Sequence, residues 1–239
     1  MGRWVPTGCL SLDRALDGGL QPGGLTLVYG EAETGKTTLA IQCSVSAARM
    51  KYKTLFVDTD GTFSPERLMQ IALQDYEEAL QSIMIFTPAT FEEQSNLIDD
   101  LEKFVNKDLG LIVFDTITSL YRAGIVGREE AFKANRELNR QIAALAHIAK
   151  KFQIPILITS QVRSVLTETD AYIEPVASRV LRYWSSSVIG LFRTSKHNVV
   201  RAIIERSMGV EKKIALYLLI SEGGISEYRL SPLADGKWS

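Results

Sequence analysis

Soft metal ligands are scarce in this chain: 239 residues include two cysteines and two histidines. Cys9 and Cys43 lie far apart with neither metal nor redox spacing, and read as reduced, buried thiols. His147 falls within a helical pattern and His197 in a turn, and neither has a metal-spaced partner. Long apolar runs are also missing. Uncharged stretches such as Ile154 to Ser160 fall far short of the roughly 20 residues that cross a bilayer. The first residues, Met-Gly-Arg-Trp, lead to Thr7-Gly8-Cys9 without the apolar segment of a secretory signal. Met1-Gly2 lacks the acylation pattern, because Pro6 stands where Ser or Thr is needed. No internal repeat or low-complexity segment breaks the chain. These absences predict a cytoplasmic protein with no membrane partner.

With 46% apolar and 23% charged residues, the composition is that of a soluble globular protein. The length suits one α/β domain, with a core over about 4–230 and a loose tail over 231–239. A net charge of −1 conceals an asymmetry. Residues 1–162 hold 16 Lys/Arg against 20 Asp/Glu, whereas residues 163–213 hold 9 against 5. The second stretch is therefore basic enough to attract phosphate backbones locally, or to form an ordinary solvated face.

The strongest motif is Gly30-Glu31-Ala32-Glu33-Thr34-Gly35-Lys36-Thr37, which directly follows the apolar run Leu25 to Tyr29 and precedes a helix-forming stretch from Thr38 to Met50. Strand, glycine-bounded loop, Lys-Thr and helix form the arrangement that holds a nucleoside triphosphate. The glycines let the backbone curl so that N–H groups point at phosphate oxygens, and the helix N-terminus adds partial positive charge. Lys36 is placed to reach the β- and γ-phosphates, and the Thr37 hydroxyl to bind Mg²⁺.

Further apolar runs alternate with helical patterns, which predicts a mostly parallel sheet with crossover helices. Strands are expected over Leu25–Tyr29, Thr54–Asp58, Ile83–Phe86, Leu111–Phe114 and Ile154–Thr159. A long helix is expected from about Arg128 to Lys151, with Ala131, Ala134, Leu138, Ile142, Leu145, Ile148 and Phe152 facing the sheet. After Gln161 the alternation stops. Ser187–Arg193, Val199–Glu205 and Lys212–Ile220 then read as consecutive, antiparallel strands, with turns at Ser195–Asn198 and Met208–Gly209.

Two of these strands end in carboxylates. Asp115 closes Leu111-Ile112-Val113-Phe114, where it could hold Mg²⁺ through water opposite Thr37. Leu55-Phe56-Val57 leads to Asp58-Thr59-Asp60, where a carboxylate near the γ-phosphate can orient and deprotonate the attacking water. Gln161 ends the strand from Ile154, where a neutral amide could touch the γ-phosphate.

At this point the chain resembles the ATPase core of the RecA/RadA recombinase family. The resemblance lies in Val5-Pro6-Thr7-Gly8-Cys9-Leu10-Ser11-Leu12-Asp13, Gly18-Gly19-Leu20, Pro22-Gly23 and above all the run from Asp58 to Arg67 (Asp-Thr-Asp-Gly-Thr-Phe-Ser-Pro-Glu-Arg). Arg182-Tyr183-Trp184-Ser185 and Ile220-Ser221-Glu222-Gly223-Gly224-Ile225 extend it to most of the chain. Because the sequence opens at this core, without a preceding helical domain or the linker that carries the aromatic polymerisation plug, it is most similar to the archaeal RadB-like paralogues.

The resemblance implies a RecA-type fold with ATP and Mg²⁺ as cofactors. Gly30 to Thr38 would surround the phosphates, with Lys36 and Thr37 as the Walker A pair and Asp115 as Walker B. Arg67 would stack on adenine, which its planar charge suits. Gln161 would join the γ-phosphate to the second DNA loop. Two loops, about Tyr121 to Arg128 and about Arg163 to Arg182, would line a channel for single- or double-stranded DNA, with Arg122, Arg128, Arg163, Arg179 and Arg182 as phosphate contacts. The implied function is ATP-dependent DNA binding in homologous recombination and repair. Its partners would be a recombinase or other DNA-processing protein, and further copies of the chain.

Two features depart from the family. Family members usually carry Glu where Asp60 stands, so this carboxylate is shorter by one bond, roughly 1.5 Å, which predicts weak hydrolysis with binding retained. The usual glycine pair of the second loop is replaced near Val176-Ala177-Ser178. A KaiC-like regulatory ATPase and a non-hydrolysing mediator that binds a recombinase remain as alternatives.

Overall fold

The computed structural model describes residues 3–123, 127–166 and 171–229. One nine-stranded sheet organises them. Its strands are β1 (Leu25–Gly30), β2 (Lys53–Asp58), β3 (Ile83–Phe86), β4 (Leu109–Asp115), β5 (Ile156–Ser160), β8 (Ser187–Arg193), β9 (Val199–Ser207), β10 (Val210–Ser221) and β11 (Gly224–Glu227), and a separate hairpin pairs β6 (Val162–Leu166) with β7 (Ala171–Pro175). The strand order is β11-β10-β9-β8-β1-β5-β4-β2-β3. All pairings from β8 through β1 to β3 are parallel, and those from β8 to β11 are antiparallel.

Helices cover both faces: α1 (Leu10–Ala15), α2 (Lys36–Arg49), α3 (Pro65–Ala72), α4 (Tyr76–Ser82), α5 (Phe91–Asp100), α6 (Ser119–Ala123), α7 (Arg128–Phe152) and α8 (Ser178–Trp184). Strands flanked by helices on both sides are apolar nearly throughout, and β1, β4 and β5 are buried at every residue. Alternate side chains serve opposite cores. Val28, Phe56, Val113 and Leu157 join α1, α2 and α3 in one cluster, whereas Leu27, Val57, Phe114 and Ile158 join α5, α7 and α8 in the other.

Local chemistry sets the helix starts. The Ser64 hydroxyl accepts the Arg67 N–H at 3.1 Å, with Pro65 at the first helical position of α3. Thr90 caps α5 in the same way, accepting the Glu93 N–H at 3.0 Å. The expected long helix is present as α7, and Leu138, Ile142, Leu145 and Ile148 bury its inner face. At 1.5 Å per residue, however, a helix of 25 residues outruns a five-residue strand such as β5. Its first turns therefore pass the sheet, so that Ala131, expected to face it, is half-buried outside that cluster and Phe132 is exposed.

The expected C-terminal strands are found as β8, β9 and β10, antiparallel in sequence order, with the last two longer than anticipated. Met208 and Gly209 form the tight connection, both at positive φ, which matches the twist of a two-residue hairpin. The β6–β7 hairpin, α8 and β11 had no counterpart in the periodicity. The expected tail lies outside the described residues. Cys9 and Cys43 are free and buried. Among the described residues no helix is long and apolar enough to cross a membrane.

Candidate functional site

The C-terminal edge of the parallel strands gathers most of the residues singled out above. β1 ends at Gly30, and the following loop runs to Gly35, whose φ of +89° suits glycine and lets α2 start at Lys36. Lys36 is 8% exposed, and its Nζ donates to the carbonyls of Gly30 at 2.9 Å and Glu31 at 2.6 Å. Burial pushes its pKa down, while the carboxylates of Asp115, Asp60 and Glu31 pull the other way. The cation is thus held in the loop by weak acceptors, beside three negative charges.

Adjacent strands deliver the carboxylates in register, with Asp58 of β2 beside Asp115 of β4. Asp115 is 1% exposed, and its Oδ1 accepts the hydroxyl of Thr159 at the end of β5. Burial raises its pKa, opposed by the Thr159 and Thr37 hydroxyls. Its other oxygen, Oδ2, has no hydrogen-bond partner among the described residues. A buried, unpaired carboxylate oxygen costs free energy unless something binds it. With the Thr37 hydroxyl alongside, the donor set is hard oxygen, which fits Mg²⁺.

Asp58 and Asp60 divide their tasks. The Asp58 carboxylate accepts the Thr62 and Phe63 N–H groups at 3.1 and 2.9 Å and so shapes the turn into α3. Asp60 is half-buried, with Oδ2 3.5 Å from the Gln161 Nε2, and its charge acts on Lys36. Gln161 in turn accepts from Arg122 Nη1 at 2.9 Å. Lys36, Asp60, Gln161 and Arg122 therefore form a continuous polar line from the phosphate loop to α6.

Gly35, Lys36, Thr37, Thr38, Glu33 and Ile220 line an open cleft of about 170 Å³. Larger hollows of about 480 and 550 Å³ exist, the first between Arg3, Lys107 and Phe152, the second sharing Glu33 and Ile220 with the cleft. Volume does not select the chemistry here, because Lys36 and Thr37 line the smallest of the three. Arg67 donates to the carbonyls of Ser221 at 2.7 Å and Glu222 at 2.9 Å, beside Ile220, so it flanks the same cleft. Ala32 accepts from Arg193 at 2.8 Å on the outer side of the loop, and Thr34 bonds the Glu31 carbonyl at 2.9 Å within it.

The loop arginines are placed unequally. Arg122, Arg163 and Arg179 are exposed. Arg163 pairs with Glu174 directly across the β6–β7 hairpin at 2.6 Å, and Arg179 has no ion pair among the described residues. Arg128 begins α7, and its side chain lies outside the described residues, as does part of each expected loop. Arg182 departs from the expectation. Its guanidinium turns onto Glu205 and Tyr29, because a partly buried carboxylate on β9 offers a stronger partner than water. Arg206 likewise stays within the chain, on Glu211 and on the carbonyls at the end of α8. Trp184 packs against α7 and donates to Asn139 at 3.0 Å.

Thr159 and the Tyr29–Glu205 contact were not singled out in the sequence. A Thr-Ser pair closing an otherwise apolar strand is the signal that could have found the first. The second joins residues on two strands far apart in sequence and leaves no local pattern.

Residues 4–228 match the family model described as Rad51. The chain is similar to the DNA repair and recombination protein RadB of Thermococcus kodakarensis, 38% identical over 226 residues, covering 93% of this chain and 99% of that protein. It is also similar to the protein of the same name from Methanobrevibacter smithii, 30% identical over 224 residues and covering 92% and 94%. A crystal structure of the RadB recombinase superimposes with a TM-score of 0.79 at 36% identity, over 94% of this chain and all of that one.

Proposed function

The chain belongs to the Rad51 family, and on that premise we propose that it is a recombinase paralogue of the RadB kind. It binds ATP with Mg²⁺ at the Gly30–Thr37 loop and uses that occupancy to set the DNA affinity of an arginine-bearing surface, in support of homologous recombination and repair. The observation that carries this reading is the convergence of Lys36, Thr37, Asp115, Asp60 and Gln161 at one sheet edge, with Asp115 Oδ2 unpartnered. The match to the Rad51 family displaces the KaiC-like alternative.

In this reading the N–H groups at the start of α2 and the Lys36 ammonium hold the phosphates. Thr37 and Asp115 supply the oxygen atoms for the divalent cation, which neutralises charge on the phosphate oxygens when bound. Arg67 covers the base. Asp60 orients the attacking water and receives its proton, and Gln161 passes the state of the site to Arg122 and the β6–β7 hairpin. The short reach of Asp60 makes turnover slow, since misplacing a catalytic group by about 1 Å can cost on the order of 10²-fold. Binding is retained despite that deficit, because Asp60 makes no hydrogen bond to the loop and acts on Lys36 only through its charge.

A salt titration of DNA binding, with and without Mg²⁺–ATP, tests the reading. Three exposed arginines that each neutralise one phosphate give a log–log slope of about −2.7 on duplex DNA. Arg122→Ala, Arg163→Ala and Arg179→Ala should each reduce it by about one. A slope near zero, or one insensitive to all three substitutions, contradicts the DNA-binding assignment.

A further inference from the structure

One polar cluster takes no part in holding phosphate and sits on the strand that feeds the loop. Tyr29, the residue before Gly30, donates its hydroxyl to Glu205 Oε1 on β9 and accepts from Arg182 Nη2 at 3.2 Å. Arg182 Nη1 bonds the other carboxylate oxygen of Glu205, and its Nε reaches the Ser178 hydroxyl at 3.2 Å. Arg206, next in sequence to Glu205, donates to the carbonyls of Arg182 and Ser185 at 2.7 and 3.2 Å. Helix α8 is therefore fastened along its length to β1 and β9.

The fold makes room for this cluster. Tyr29 is 2% exposed, and its ring meets Phe192 edge-on with centroids 6.0 Å apart. A Cβ at Gly190 would stand 2.8 Å from the Tyr29 hydroxyl, so a larger residue there would close the slot. The Arg182 and Glu205 side chains keep 33% and 23% of their exposure. Partly buried ion pairs add little net stability over apolar packing, so stability alone does not account for the arrangement.

Position does. The segment from Gln161 to Ser178 carries Arg163 and the β6–β7 hairpin, and its base is closed by the Val176 N–H on the Gln161 carbonyl at 3.0 Å. Its entry is Gln161, in contact with Asp60 and Arg122. Its exit is α8, in contact with Tyr29 and Glu205. The two anchors rest on the ends of neighbouring strands, with Tyr29 of β1 paired to Ser160 of β5.

We propose that Tyr29, Glu205 and Arg182 form a second coupling element, through which occupancy of the phosphate loop positions α8 and the exit of the arginine-bearing segment. Arg182 is then a positioning residue rather than a DNA contact. The inference rests on the nucleotide reading above. To serve phosphate oxygens, Lys36 has to release the carbonyls of Gly30 and Glu31 that it now holds. The change falls on the peptide next to Tyr29, whose hydroxyl is pinned between two charged groups and transmits it to α8. Coupling of this kind needs an element with two arrangements that both sites bias, and in this proposal the exit anchor is that element.

Amide hydrogen exchange on the full chain, with and without Mg²⁺–ATP, tests it. Tyr29→Phe removes the hydroxyl and keeps the ring against Phe192. Nucleotide should slow exchange in the first turn of α2 in both proteins. In the wild type it should also slow residues 178–184 several-fold, and Tyr29→Phe should lose that second effect. Glu205→Gln should behave alike, and the double variant should be no worse than either single one. A merely structural role would shift α8 equally with and without nucleotide. Full nucleotide-dependent slowing of α8 in Tyr29→Phe overturns the proposal, as does a wild type whose α2 responds while α8 does not. A wild type in which even α2 fails to respond overturns the nucleotide reading and this proposal together.

Discussion

Strands β1, β4 and β5 are buried at every residue, whereas in the same sheet β9 opens to solvent at Arg201 and β10 alternates exposed with half-buried positions over 211–217. The parallel half has helices on both faces and spends its polar residues at one edge, where Thr37, Asp58, Asp115 and Thr159 collect. The antiparallel half is covered on one face and leaves Arg201, Lys213, Ala215 and Tyr217 in solvent. The contrast shows how a single sheet combines a rigid platform with a more permissive extension. Precise placement of charge belongs to the doubly covered strands, and tolerance to change belongs to the other half.

Substitutions can break or sharpen that contrast. The largest effect is expected from Phe114→Ala in the parallel half, since the side chain is wholly buried between β4 and α7. Denaturant unfolding should show a loss of about 3–5 kcal/mol. Next comes the edge where the polar residues collect. At a ligand concentration of 100 times Kd, Mg²⁺–ATP should stabilise the wild type by about 2.7 kcal/mol. Asp115→Asn should forfeit most of that gain in a thermal-shift assay while its ligand-free form stays folded. Thr90→Ala removes the cap of α5 and should cost about 1 kcal/mol. Tyr217→Ala, on the open face of β10, should change stability by no more than about 0.5 kcal/mol. A Tyr217→Ala loss approaching that of Phe114→Ala would erase the distinction between the halves.

A pH series adds a smaller test on the covered face. Hydrogen bonds from Arg140 hold Glu137 below the ordinary value of 4.5, with Ser95 and Gln141 helping, and tie α7 to α5. A depressed folded-state pKa gives stability that is present above 4.5 and lost as pH falls through the folded value. The stability difference between wild type and Glu137→Gln should therefore be flat at neutral pH and shrink in acid. The side chain is a third exposed, so the difference itself should be modest.

How far the sequence spoke for the molecule follows the same division. Short apolar runs bounded by polar residues made β1 to β5 legible, fully buried in β1, β4 and β5 and partly so in the edge strand β3, and the Gly30 to Thr37 motif made the phosphate loop legible. Asp115 and Asp60 stood out because a carboxylate after such a run is conspicuous. The hairpin and helix between Gln161 and Ser185 were not legible, since their residues pack on elements distant in sequence and keep no simple period. Arg182 is the clearest case. The family resemblance placed it among the DNA contacts, and the partner it holds here, Glu205, lies on a strand whose alternation says nothing about that pairing. Asp58 shows a milder version, because its role in the turn to Phe63 depends on two backbone N–H groups rather than on any motif.

Calorimetric titration of Mg²⁺–ATP into the wild type and Lys36→Ala addresses the central claim most directly, because Lys36 bonds the loop carbonyls of Gly30 and Glu31 and is the sole ammonium among the cleft-lining residues described. Saturable one-to-one binding by the wild type, weakened at least about 100-fold or abolished in Lys36→Ala, is the predicted result. Equal affinity in the two proteins would contradict the account.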